Sequence, residues 1–118
     1  MKKISFEEIG GVAATFYADE DVRRDYVVGI SGQETVGLMP DGEPVFGVVQ
    51  EMGADGLAGV QVSGFAAVPY SGAGMAPGWA ELVSDGSGGV RKAGVDETGR
   101  MFLVIGTDTA AKTAVVLL

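Results

Sequence analysis

The sequence predicts an all-β protein, a compact Gly-rich β-barrel or β-sandwich of short antiparallel strands with little helix, and three observations carry that prediction. Glycine fills 20 of 118 positions, more than twice its average share of about 7%, and the glycines fall between short apolar runs instead of in one low-complexity block. Several of those runs are rich in the β-branched and aromatic residues that strands prefer. Turn signals recur roughly every 10 to 15 residues, too closely for parallel βαβ units, whose crossovers need a helix of about ten residues or more.

The first strand is expected at 13–17, a small-residue run ending in Phe16 and Tyr17. The stretch 19–26 is the best helix candidate, yet it is short and has no periodic apolar stripe, so it reads as a loop. Strands follow at 26–30, where Tyr26, Val27, Val28 and Ile30 cluster, and at 35–39. Between 36 and 49 apolar residues flank Pro40-Asp41-Gly42-Glu43 on both sides, and this stretch reads as a hairpin closed by a Pro-Asp-Gly turn. Its second strand spans 45–52. Ala54-Asp55-Gly56 then turns the chain into 59–63, and 65–70 follows. Pro69 cannot donate to a central ladder, so that strand is predicted to lie at an edge or to end there. A single turn near Pro77-Gly78-Trp79 precedes the strand at 80–84. Residues 81–90 repeat the strand-turn-strand form around Asp85-Gly86-Ser87-Gly88-Gly89, where Gly supplies positive φ and Asp bonds its own backbone. Glu97-Thr98-Gly99-Arg100 leads into 101–105, and 113–118 closes the chain.

One domain is expected. A folded chain of this mass exposes roughly 6,000 Å² against roughly 17,000 Å² unfolded, enough for one core, and added stability from self-association is useful at this size. Residues 1–25 are set apart as an N-terminal segment, a candidate arm, with the β domain over 26–118. The chain has no Cys and no His, which removes thiol nucleophiles, Ser-His-Asp triads, His general bases, tetrahedral zinc sites and His- or Cys-ligated haem together. No enzyme and no cofactor are expected. Sixteen acids against eight bases give a net charge of -8 and a pI near 4.3, which repels nucleic acid and anionic membranes alike. The acids are lopsided: residues 1–59 hold eleven acids and four bases, residues 60–118 five and four. No apolar run approaches the roughly 20 residues of a membrane helix, and Glu7 and Glu8 interrupt the N-terminus before a secretory apolar region develops.

Four local features invite functional readings. Asp19-Glu20-Asp21 resembles a cation loop, but the alternating acids, Gly and distal Glu of a calcium loop are missing, so a solvated mixed-charge loop is expected and no metal. Gly72-Ala73-Gly74-Met75-Ala76-Pro77-Gly78 invites a phosphate-loop reading, yet Pro77 removes a donor and no Gly-Lys-Ser/Thr ending or helix follows. Carboxylate pairs such as Glu43 and Glu51 arise by chance among 16 acids. The segment 62–72 stands out, because it combines Phe65, Val68, Pro69 and Tyr70 with Met75 and Trp79 close behind. Aromatic residues and Met favour interface cores, so these six, with Phe6 from the N-terminal segment, form the candidate interface. The competing expectation is that they fill the domain's own core, more readily for Phe65 and Trp79 than for Tyr70 and Met75.

From residue 26 onward the pattern resembles the small head-decoration or capsid-stabilising proteins of tailed bacteriophages and prophages. The resemblance lies in the strand Val45-Phe46-Gly47-Val48-Val49 after an Asp-Gly-Glu-Pro turn, and in Val60-Gln61-Val62-Ser63-Gly64-Phe65 continuing through Val68-Pro69-Tyr70-Ser71-Gly72. It extends to Ala76-Pro77-Gly78-Trp79-Ala80-Glu81-Leu82 followed by Asp85-Gly86-Ser87-Gly88-Gly89-Val90, and to the closing strands at 101–105 and 114–118. It implies a β-rich, non-enzymatic virion protein, made in the bacterial host cytoplasm. It also implies a homo-oligomer, a trimer-like cluster seated on the outer surface of the expanded shell, with the major capsid protein as partner. In that setting residues 1–6 are expected to order on docking and add a strand to a capsid edge. A tail or fibre component and a stand-alone β-barrel module for a small ligand or peptide are the alternatives.

Overall fold

A computed structural model of the chain describes residues 11–118. It is all-β, with ten strands and no helix among the described residues. The strands are β1 (Val12–Ala18), β2 (Val27–Gly32), β3 (Thr35–Gly37), β4 (Gly47–Met52), β5 (Leu57–Ser63), β6 (Phe65–Pro69), β7 (Gly78–Ser84), β8 (Val90–Lys92), β9 (Arg100–Asp108) and β10 (Thr113–Leu117). The first five close into a barrel in the order β1-β3-β2-β4-β5, and the rest form a sheet in the order β6-β10-β9-β7-β8. All nine expected strands are present; β8, too short at three residues to read from its composition, completes the hairpin expected around Asp85. Among the described residues the β structure begins at Val12, inside the segment set apart as 1–25, because β1 pairs with β5 and, in parallel, with β3 to close the barrel.

The expected hairpin over 36–49 is not formed, and the reason is packing. The turn exists, with Gly42 at φ +92° and Glu43 N–H donating to Pro40 carbonyl oxygen at 3.1 Å. However, β2 lies between β3 and β4, pairing with each. The connection 38–46 instead crosses to the second sheet. There Gly42 N–H donates to Ser84 O at 2.9 Å, Ser84 N–H donates to Glu43 O at 2.8 Å, and the Ser84 hydroxyl donates to Met39 O at 2.8 Å. Val45, 3% exposed, enters the core of that sheet. Burying an apolar side chain is worth about 1.5–3 kcal/mol, enough to override a locally favoured turn pairing.

Two cores result. Val22, Val28, Val36, Val49, Ala58 and Val60 fill the barrel with Phe16 and Phe46 packed against them, the two rings edge to face at 5.7 Å. The larger core lies inside the second sheet, around Val68, Leu82, Phe102, Val104 and Val116. Val27, Val45 and Val48 from the first half also enter it. Strand alternation sets this inner face: Ala66 and Val68 of β6, Ala80 and Leu82 of β7, Phe102 and Val104 of β9, and Ala114 and Val116 of β10 all point inward. As expected, β6 is an edge strand that ends at Pro69. Just beyond it a parallel bridge joins Tyr70 to Val90, so the sheet's two outer strands touch.

Candidate interaction surface

The second sheet also has an outer face, which the same alternation fills with large apolar groups. Trp79 stands opposite Leu103, Leu103 opposite Leu117, and Leu117 opposite Phe65, one row crossing four strands. Val115 and Ala67 form a second pair beside it, and a bulge in β9 between the partners of Val115 and Val116 places Ile105 there as the extra residue. Trp79 is 69% exposed and Met101 53%; Phe65, Leu103, Val115 and Leu117 are half-buried. The one acid in these rows, Glu81 opposite Met101, is engaged by the Gly99 N–H at 2.8 Å. An antiparallel sheet with one wet face ordinarily alternates apolar-in with polar-out, and this one does not.

The expected interface residues divide. Trp79 is on the surface, and Phe65 and Pro69 are half-buried. Val68, Tyr70 and Met75, at 2%, 6% and 8% exposed, are in the core and do not present a surface. The reversal has a geometric cause: Val68 shares the inward parity of β6, Tyr70 continues it, and the 71–77 loop folds Met75 under the sheet. The Lys112 ammonium sits 5.3 Å from the Tyr70 ring centroid. Phe6 lies outside the described residues. Met101, Leu103, Val115 and Leu117, which complete the outer face, were missed. The available signal was that 101–105 and 114–118 are apolar at every position, so both faces of those strands are apolar.

Elsewhere the polar groups hold the fold. Asp19, Glu20 and Asp21 are exposed, and Arg23 donates to the Glu20 and Val22 carbonyls. Among the described residues no three acids converge as a metal site would require. The 72–78 loop is shaped by Gly72, Gly74 and Gly78 at positive φ. Glu43 lies in the connection bonded to Ser84, and Glu51 on β4 opposite Gly59. Arg91 on β8 grips Glu97 with two bonds of 2.7 and 2.6 Å and Asp41 with one of 2.8 Å, tying the 38–46 connection to the second sheet. The Arg91 guanidinium, aided by the Gly94 N–H, pulls the Glu97 carboxyl down to about 2, and the two carboxylates raise the guanidinium in turn.

A groove of about 350 Å³ runs between the barrel and β6, lined by Arg24, Asp25, Val48, Val49, Gln50, Gln61, Ala66 and Ala67. Its central amide is already bonded: Gln61, 5% exposed, donates to Ser63 O at 3.0 Å and Phe65 O at 2.8 Å and accepts from Gln50 at 2.9 Å. The perturbed carboxyl, Glu97, is thus part of a structural ion pair, and the most unusual surface is the apolar row. No protein-family model matches this chain, and no curated protein matches it in sequence.

Proposed function

We propose that this chain is a non-enzymatic structural protein of a phage or prophage virion, a head-decoration protein that binds the outer surface of the mature capsid as a cluster of copies, a trimer, and stabilises the shell. The observation that supports this reading best is the uncharged row Trp79–Leu103–Leu117–Phe65 on the outside of the sheet. Exposed apolar patches of this kind mark surfaces that meet other proteins. The row supports the cluster of copies; the partner of that cluster, the major capsid protein, comes from the resemblance of residues 26–118 to decoration proteins. Stabilisation follows from linkage: a protein that binds the expanded shell and not its precursor shifts the equilibrium toward the expanded form, and simultaneous contacts multiply modest interface energies.

The groove beside Gln61 favours a second reading, a stand-alone binding module, since about 350 Å³ lies within the range of ligand pockets. The amide of Gln61 is spent on internal bonds, which weighs against it. Co-sedimentation with expanded and unexpanded shells of the same phage's major capsid protein tests the proposal. Saturable binding to expanded shells, with a raised shell melting temperature, is the expected result. Binding to neither shell overturns it, and association with tails or fibres instead moves the chain to that class.

A further inference from the structure

We infer that the outer face of the second sheet, centred on Trp79, Leu103, Leu117 and Phe65, is where a second copy of this chain packs. The inference rests on the capsid reading and deepens it by assigning the copy-to-copy contact, with the same face of each copy turned toward a common axis, and it leaves the shell contact to another surface.

The choice of occupant rests on charge. The chain carries -8 overall, and eleven of its sixteen acids lie in residues 1–59, with four bases, whereas residues 60–118 hold five acids and four bases. A basic partner would gain little from this face, whose acids are already engaged: Glu81 accepts from the Gly99 N–H, and Asp108, opposite Thr113 at the end of the sheet, accepts from the Ala110 and Ala111 N–H groups. Two copies, in contrast, repel each other everywhere except where charge is missing. Meeting through the second sheet puts two nearly neutral halves in contact and holds the acidic barrels apart.

Area agrees with this. Trp79 and Met101, each more than half exposed, together with the half-buried row, present on the order of 500 Å². Such faces turned to a common axis hide roughly 500 Å² per copy, the order of what each partner gives up at the smaller specific interfaces. A large exposed Trp within an apolar patch is also the residue type that dominates interface energies.

Sedimentation velocity of the full chain over a concentration series tests the inference, read together with the emission of Trp79, the single tryptophan. The expected result is a mass that rises above 12.0 kDa with concentration while the emission moves to the blue in step, as the indole leaves water. Trp79→Glu combined with Met101→Glu, both surface changes, weakens association at least about tenfold. Ile30→Glu, at a site 55% exposed on the barrel, leaves it unchanged. A chain that stays monomeric with constant emission overturns the inference, and so does association that ignores the double substitution or responds equally to Ile30→Glu. Shell co-sedimentation is a separate readout: a monomer that still binds shells defeats only the copy interface, and an associating chain that binds no shell defeats only the decoration reading.

Discussion

Asp85 accepts from the Ser87 and Gly89 N–H groups at 2.8 and 3.0 Å and from the Ser71 hydroxyl at 2.6 Å. It thereby closes the β7–β8 turn and pins the end of β6 to it. This use of Asp was readable from the Asp-Gly-Ser-Gly-Gly run, because the partners are two and four residues away. The Arg91–Glu97–Asp41 cluster was not readable, since Asp41 and Arg91 are 50 residues apart and meet only once the 38–46 connection has crossed the molecule. That cluster makes a prediction about acid. Glu97 sits at about 2 when folded, against an ordinary 4.5, so its contribution is fully present above pH 4.5 and is lost as the pH falls toward 2. Melting temperatures measured across that window should fall less steeply for Glu97→Gln than for the parent chain; parallel curves would remove Glu97 from the account.

At the scale of elements, strands were legible and their pairing was not. Composition locates 101–105 and 113–118 as strands, because β propensity is local. It does not say which parity faces inward, since both parities are apolar; the same ambiguity over 65–70 is why Val68 and Tyr70 stood with Phe65 and Trp79 among the interface candidates. The 36–49 stretch failed for a related reason: Val45 gains more by entering the distant core than β3 and β4 would gain by pairing. Parity on β9 can be tested directly. Phe102→Ala, at a residue 2% exposed, should cost about 3–5 kcal/mol in denaturant unfolding, whereas Met101→Ala in dilute solution should stay within about 0.5 kcal/mol. Equal costs would mean that the sheet's inner and outer faces have been assigned wrongly.

Considered whole, the molecule is divided by strand pairing into a barrel and a sheet, but its larger core takes Val27, Val45 and Val48 from the barrel half. Residues shared in this way couple the two parts, so unfolding should be a single event. Emission from Trp79, in the sheet, and far-ultraviolet circular dichroism, which reports the strands of both parts, should give coincident urea midpoints. Separated midpoints would show two independently stable units. Single-domain size was legible from length alone; the sharing of a core was not, because it depends on where a nine-residue connection travels.

The bridge between Tyr70 and Val90 has a consequence for solubility. Unpaired strand edges template the stacking of one chain on another into fibres. Here β6 stops at Pro69, Gln61 covers the Phe65 carbonyl, β8 is three residues long with Arg91 and Lys92 on it, and the bridge draws these two margins together. Along the second sheet a growing fibre has little ledge on which to start, so crowding at high local concentration does not recruit neighbouring copies through these margins.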